Sequence, residues 1–315
     1  LEGDGKLSID YAGELFNPDA TTKIEVNNLK TEWIHFNKIA GLLKKKKNVL
    51  QFEKLSALNG NESYELIKSQ PFFDLKKMNF LRTRASFNLK NAFSNTFLYS
   101  LRDSLTPLKG YLTGKIDVAW DGDKVYFDLR EKARFENFQL LSTSQPPILK
   151  NGGFDIDEAL LSLDKNFKLG IQAKISMPNT KVIATGEISE KGINILLKDS
   201  RIDMSAIGPI SGVAITGVGP ATAEIHGPFD DVKFDFKVDW NNFSIVDLHF
   251  GRAQSEFSLS LKDLSINIDK LTGAYNQSIF SAEGELSFGE IGEMDLDIDF
   301  KKTNFADAQK MFGLV

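Results

Sequence analysis

The sequence predicts an all-β protein, a long curled antiparallel meander sheet, and three observations carry that expectation. From about Gly110 onward apolar and polar residues alternate with period two, which puts successive side chains on opposite faces of a strand. Turn residues break the alternation every ~8 to 15 positions, the spacing of many strands joined in sequence. Glycines recur inside the strand-like stretches, where they mark bends, bulges or close backbone approach and suit a sheet that must curl.

The N-terminal part is less regular. Thr31 to Leu43 carries Trp33, Ile34, Phe36, Ile39, Leu42 and Leu43, which reads as a strand leading into a turn of helix and ends in Lys44 to Lys47. Asn91 to Leu105 sets Phe93, Phe97, Leu98, Leu101 and Leu105 on one helical face with Pro107 closing it, so an amphipathic helix is expected over 91–105. Strands then follow one another: Ile116, Val118 and Trp120; Val125, Phe127 and Leu129; Leu169, Ile171, Ala173, Ile175 and Met177; Ile193, Ile195 and Leu197. Asp121-Gly122-Asp123 is a hairpin signal between the first two, and Glu190-Lys191-Gly192 and Gly227 to Asp231 are further breaks.

The clearest strands come late. Phe234, Phe236, Val238 and Trp240 share one face, with Lys233, Asp235, Lys237 and Asp239 on the other. Phe257, Leu259 and Leu261, then Leu264, Ile266 and Ile268, then Leu286 and Phe288, continue the apolar face. Met294, Leu296, Ile298 and Phe300 alternate with Asp295, Asp297 and Asp299, and a slip of one residue would bury those aspartates, so both faces are firmly specified. Gln145-Pro146-Pro147 and Asn151-Gly152-Gly153 mark a loop dividing the sheet into residues 1–145 and 150–315. The chain starts at Leu1 and stops inside a helical stretch, Asn304 to Val315, which reads as a piece of a longer polypeptide.

Composition narrows function by exclusion. The 38 basic and 43 acidic residues are dispersed, net charge -5, without the basic footprint that nucleic acid requires. Cysteine is absent, which removes disulfides, thiolate metal sites and a cysteine nucleophile. The three histidines, His35, His226 and His249, have no second ligand at metal or triad spacing and read as ordinary sheet or loop residues. Asp295, Asp297 and Asp299 alternate with apolar residues, unlike a calcium loop, and read as a solvated strand face. Asp230-Asp231 reads as a turn. Gly208, Gly212, Gly217 and Gly219 lack the Lys-Ser/Thr of a phosphate loop. Lys44 to Lys47 reads as a solvated loop tip, with contact to anionic head groups as the alternative. No enzyme activity, metal or cofactor is expected.

The apolar face is the remaining feature. About 15 to 18 strands spaced about 4.8 Å apart make a sheet roughly 70 to 85 Å across. Its apolar face would far exceed the few hundred Å² that a soluble monomer leaves bare, so it folds on itself, packs on a partner or holds lipid. With each inward side chain worth about 1.5–3 kcal/mol on burial, the drive to cover that face is tens of kcal/mol. Alternation alone does not separate a closed sandwich from an open groove.

A weak repeat, Leu112-Thr113-Gly114, Ala184-Thr185-Gly186, Ile215-Thr216-Gly217 and Leu271-Thr272-Gly273, runs through the chain at irregular spacing. Gly217 to Gly289 resembles the AsmA-like and TamB-like proteins of Gram-negative envelopes. The matching pieces are Gly217-Val218-Gly219, Ala223 to Asp231, Asn242-Phe243, His249-Phe250-Gly251, Leu271 to Gly273 and Phe280 to Gly289. Asn91 to Trp120 and Asn304 to Ala308 are similar as well. The resemblance implies the architecture of a bridge-like lipid transfer protein, a long curled sheet forming a groove U-shaped in section, whose apolar inner face cradles acyl chains of phospholipid or another lipid between inner and outer membranes.

It further implies a periplasmic location, anchoring in the inner membrane by a preceding segment, and an outer-membrane barrel protein as a further partner. The residues expected to line the groove are the apolar sets from Ile116 through Phe300 named above. A protein-binding β scaffold for outer-membrane protein assembly is the alternative expectation.

Overall fold

The computed structural model describes residues 2–13, 18–30, 35–93, 108–140, 149–166, 168–207, 214–260, 262–288 and 292–313. Their strands are β1 (Glu2–Ala12), β2 (Asp19–Lys30), β3 (His35–Lys46), β4 (Val49–Asn59), β5 (Glu62–Ser69), β6 (Phe73–Asp74) and β7 (Asn79–Phe80). Next come β8 (Thr83–Phe93), β9 (Leu108–Trp120), β10 (Lys124–Leu129), β11 (Ala133–Leu140), β12 (Leu149–Asp164), β13 (Leu169–Met177), β14 (Thr180–Ser189) and β15 (Gly192–Asp203). A single turn, α1 (Met204–Ile207), precedes β16 (Ile215–Gly227), β17 (Lys233–Ile245), β18 (Leu248–Ser260), β19 (Ser265–Tyr275), β20 (Ser278–Ser287), β21 (Glu293–Lys302) and α2 (Phe305–Met311). The fold is all-β, one antiparallel meander sheet of 21 strands among the described residues, as the alternation predicts.

Two compact units divide the chain: Leu1–Glu136 with Asp155–Leu169, and Asn137–Phe154 with Gly170–Val315. In unit 1 strands pair mostly with their neighbours in sequence, and two long strands split an edge. β4 pairs with β5 through Ser56–Asn59 and with β6 through Val49 and Leu50. β9 pairs with both β10 and β11. The Asp121 turn forms as expected: its Oδ1 accepts from the Asp123 and Lys124 amides at 3.0 and 2.9 Å, bringing Val125 opposite Trp120.

Several expectations are corrected. Within Thr31 to Leu43, residues 35–43 form strand throughout, without the turn of helix, because β2 and β4 saturate both edges of β3. Asn151-Gly152-Gly153 lies within β12, where a loop was expected. Leu264 sits in the turn before β19, at φ 50°, and not on its face. Of the helix expected over 91–105, residues 91–93 end β8, and 94–105 lie outside the described residues, as do Gln145-Pro146-Pro147 and Leu261.

Unit 2 is held by one apolar core. Directly opposed residues share a face, so the pairing Ala223–Phe236–Phe257–Ile268–Gly284–Leu296 defines one row, and Ile225–Phe234–Leu259–Ile266–Leu286–Met294 the next. α2 closes its C-terminal end with Met311 buried in the core. Asn304 caps α2 by accepting from the Ala306 amide at 3.0 Å.

Asp307 ties α2 to the β19–β20 turn, accepting from Asn276 Nδ2 at 2.9 Å, the Gln277 amide at 3.1 Å and Ser278 Oγ at 3.4 Å. The Asn276 bond foremost, with those from Gln277 and Ser278 and the nearby Lys310 charge, holds its carboxyl below the ordinary value against burial, which raises it. A depressed carboxyl pKa contributes stability above the ordinary carboxylate range, and that contribution is lost as pH falls through the lowered value. Acid should therefore loosen α2 before the sheet. Asp307→Asn should remove that pH dependence and lower Tm by roughly 2–4 °C, checked by thermal melts across the acid range.

Candidate functional site

The candidate site is the apolar face of unit 1. Register alone assembles it: Leu7 lies opposite Ile24, Ile24 opposite Gly41 and Gly41 opposite Leu55. Leu66 continues the Ser56–Glu65 register, then Leu66 faces Phe87 and Phe87 faces Ile116. Leu129, following the Asp117–Asp128 pair, and Ala159 opposite it extend the row. One transverse line of apolar residues thus crosses nine strands. A parallel line runs through Ile9, Thr22, Leu43 and Phe52, and another through Val26, Ile39, Ala57, Tyr64 and Leu89.

Burial changes along this face. Leu7, Ile9 and Tyr11 on β1 are exposed, Ile24 and Leu55 are half-buried, and Leu66, Ile116, Leu129 and Ala159 are buried. A depression of about 1020 Å³ crosses β1 to β5 along the row. Leu7, Ile24, Gly41, Leu55 and Leu66 line it together with their chain neighbours, among them Lys6, Lys23, Glu25, Lys54 and Glu65. An open concavity with an apolar row along it suits an acyl chain, which gains from burial.

The residues expected to line a groove divide between the two units. In unit 1, Ile116, Leu129 and Leu169 are buried, and Val118, Trp120, Val125 and Phe127 half-buried. Phe127 lies between Val118 and Leu161, so these residues continue the same face.

In unit 2, Phe234, Phe236, Val238, Trp240, Phe257, Leu259, Ile266, Ile268 and Leu286 are all packed into the core. Rings fill that space: Phe236 stacks on Phe257 at 4.9 Å, Phe243 lies 6.0 Å from Phe257, and Trp240 meets Phe243 edge-on at 5.6 Å. An acyl chain has no room against side chains packed this closely. Ile171, Ile175, Phe288, Leu296, Ile298 and Phe300 are half-buried, and Met294 is exposed on β21. A depression on unit 2 measures only about 170 Å³.

The strands that bear the large depression, β1 to β5, contribute none of the residues expected from sequence to line a groove. The signal was present in Leu7/Ile9/Tyr11 and Ile24/Val26, diluted by Gly5, Thr22, Gly41 and Lys45 at other positions of the same face.

The polar groups weighed for chemistry lie on strand faces or in turns. His226 Nε2 is 2.7 Å from Asp235 Oδ2 across the exposed side of β16 and β17. Asp295, Asp297 and Asp299 are exposed on β21, the first two opposite Glu285 and Glu283. Among the described residues no group of three or more His, Asp or Glu is arranged to hold a metal ion, and no helix is long and apolar enough to cross a membrane. No family model, curated protein or solved structure matches the chain, so the reading of this site rests on its own geometry.

Proposed function

We propose that unit 1 shields the acyl chains of phospholipid or a similar lipid against its apolar face, and that the chain serves lipid movement between the inner and outer membranes from the periplasm of a Gram-negative cell. The observation that carries this reading is the apolar line from Leu7 to Ala159, which passes from exposed at Leu7 through half-buried Ile24 and Leu55 to buried Leu66 along the 1020 Å³ depression. The likeness of Gly217–Gly289 to AsmA-like and TamB-like proteins supports the envelope setting. No catalytic step is needed: the face lowers the cost of exposing hydrocarbon to water, about 0.8 kcal/mol per CH₂ covered.

Introducing Asp at Ile24 and Leu55 together should cut lipid co-purification at least about tenfold while far-UV circular dichroism stays that of a sheet. Native mass spectrometry of protein exposed to phospholipid vesicles measures the load. Wild-type protein that carries no lipid after such exposure would end the proposal.

A second reading, a scaffold that binds protein by strand addition, is favoured by β1. Among the described residues β1 pairs only with β2, and it exposes Leu7, Ile9 and Tyr11.

A further inference from the structure

Two turns of unit 1 that are distant in sequence come together at one end of the sheet. The β3–β4 hairpin carries Lys45 and Lys46 at the end of β3 and Lys47 in its turn, and the β6–β7 turn carries Lys76, Lys77 and Met78. The Leu75 amide donates to the Asn48 carbonyl at 2.7 Å, and Val49 and Leu50 pair with Asp74 and Phe73, so the turns lie side by side. Two acids stand at these turns with their charges intact, Asp19 accepting from the Lys47 amide at 3.1 Å and Asp74 from the Lys76 and Lys77 amides at 2.8 and 3.0 Å, and the lysines outnumber them. Lys46, Lys47, Lys76 and Lys77 are exposed, and none forms an ion pair among the described residues.

Next to these cations runs a further transverse line. Tyr11 faces Ala20, Ala20 faces Lys45, Lys45 faces Leu50, Leu50 faces Phe73 and Phe73 faces Phe80. The Phe80 ring lies 5.1 Å from Phe73 and 6.1 Å from Trp120. Tyr11, Met78 and Phe80 are 68%, 73% and 64% exposed, and the only other large apolar side chain above 60% among the described residues of unit 1 is Leu7. Exposed aromatics beside a ring of lysines match the interface of an anionic bilayer, where rings sit at head-group depth and lysines meet phosphate.

Backbone conformation points the same way. Lys47 and Met78 have φ of 54° and 52°, the left-handed region, where glycine or asparagine is least strained. The other non-glycine residues of unit 1 in that region are both asparagine, Asn28 and Asn91. A cation and a thioether thus stand at these two turns in a conformation that asparagine or glycine adopts with less strain.

We infer that this end of unit 1 docks on an anionic membrane surface, the lysines contacting lipid phosphates and Met78, Phe80 and Tyr11 entering the head-group layer. Docking is separate from acyl binding, since the four lysines lie outside the apolar row. The test is co-sedimentation of the 315-residue chain with vesicles of phosphatidylcholine alone and with phosphatidylglycerol added.

Binding should require phosphatidylglycerol, weaken with salt, and fall on the order of a hundredfold in the variant combining Lys46→Glu, Lys47→Glu, Lys76→Glu and Lys77→Glu. Circular dichroism checks that the variant is folded, and lipid loading by native mass spectrometry should be unchanged. Equal binding to neutral and anionic vesicles overturns the inference, as does undiminished binding by a folded variant. Displacement by single-stranded DNA at matched charge, which would mark a general polyanion surface, also overturns it.

Discussion

Phe257→Asp will unfold unit 2. The ring is 2% exposed, stacked on Phe236 and within 6.0 Å of the Phe243 centroid. Truncating such a ring costs about 3–5 kcal/mol, and a carboxylate left unpaired in its place adds a desolvation penalty of several more. The total is comparable to the whole stability of an ordinary domain, about 5–15 kcal/mol. Near-UV circular dichroism should lose its aromatic signal, and urea should find no cooperative transition from unit 2. A folded Phe257→Asp protein with a native midpoint would mean that water reaches this face, and the packed-core description of unit 2 would be wrong. Leu296→Asp, on the half-buried last strand, should be far milder.

Gly217→Ala should destabilise unit 2 by about 2–4 kcal/mol, combining overpacking with backbone strain. Gly217 has φ +143°, and an added Cβ would come within 2.6 Å of Trp240 Cε3 and 3.1 Å of Cδ2. Trp240 is fully buried and cannot give way, since Phe243 and Phe257 pack against its indole. Gly122→Ala is the control: its φ is +109°, yet nothing lies within 4 Å of a Cβ there, so only the conformational cost of about 1–2 kcal/mol applies. Urea midpoints of the two variants separate collision from conformation. A Gly217→Ala loss no larger than that of Gly122→Ala would rule out the collision with Trp240.

The Thr-Gly repeats thereby acquire a physical meaning that spacing alone did not supply. Glycine inside these strands suggested curling, but at Gly217 and Gly273 it makes room for an aromatic ring from the next strand, Trp240 and Phe280. Strand identity and face were legible wherever alternation was undiluted, as in Phe234 to Trp240, because a period of two and a polar reverse face leave one register. Legibility failed where the face was built from small or polar residues. Gly41, in the stretch expected to lead into a turn of helix, is an ordinary member of a row between Ile24 and Leu55.

The degree of filling was not legible at all. Leu55 and Phe257 both sit in two-faced strands, and only the rings that their neighbours bring decide that one borders a depression and the other a packed core. Such information resides in contacts between strands far apart in composition, and no local pattern encodes it.

The habit of pairing with the next strand in sequence also governs how the molecule assembles. Among the described residues β1 and β21 each have a single partner, and most interior partners are hairpin neighbours. Loop closure between such neighbours costs little entropy, so contact order is low for an all-β chain and folding should be correspondingly quick. Nucleation can begin at any well-formed hairpin and spread in both directions. Pulled from its ends, the chain should come apart as a series of small peeling steps, one hairpin at a time, with the aromatic core of unit 2 yielding at the highest force.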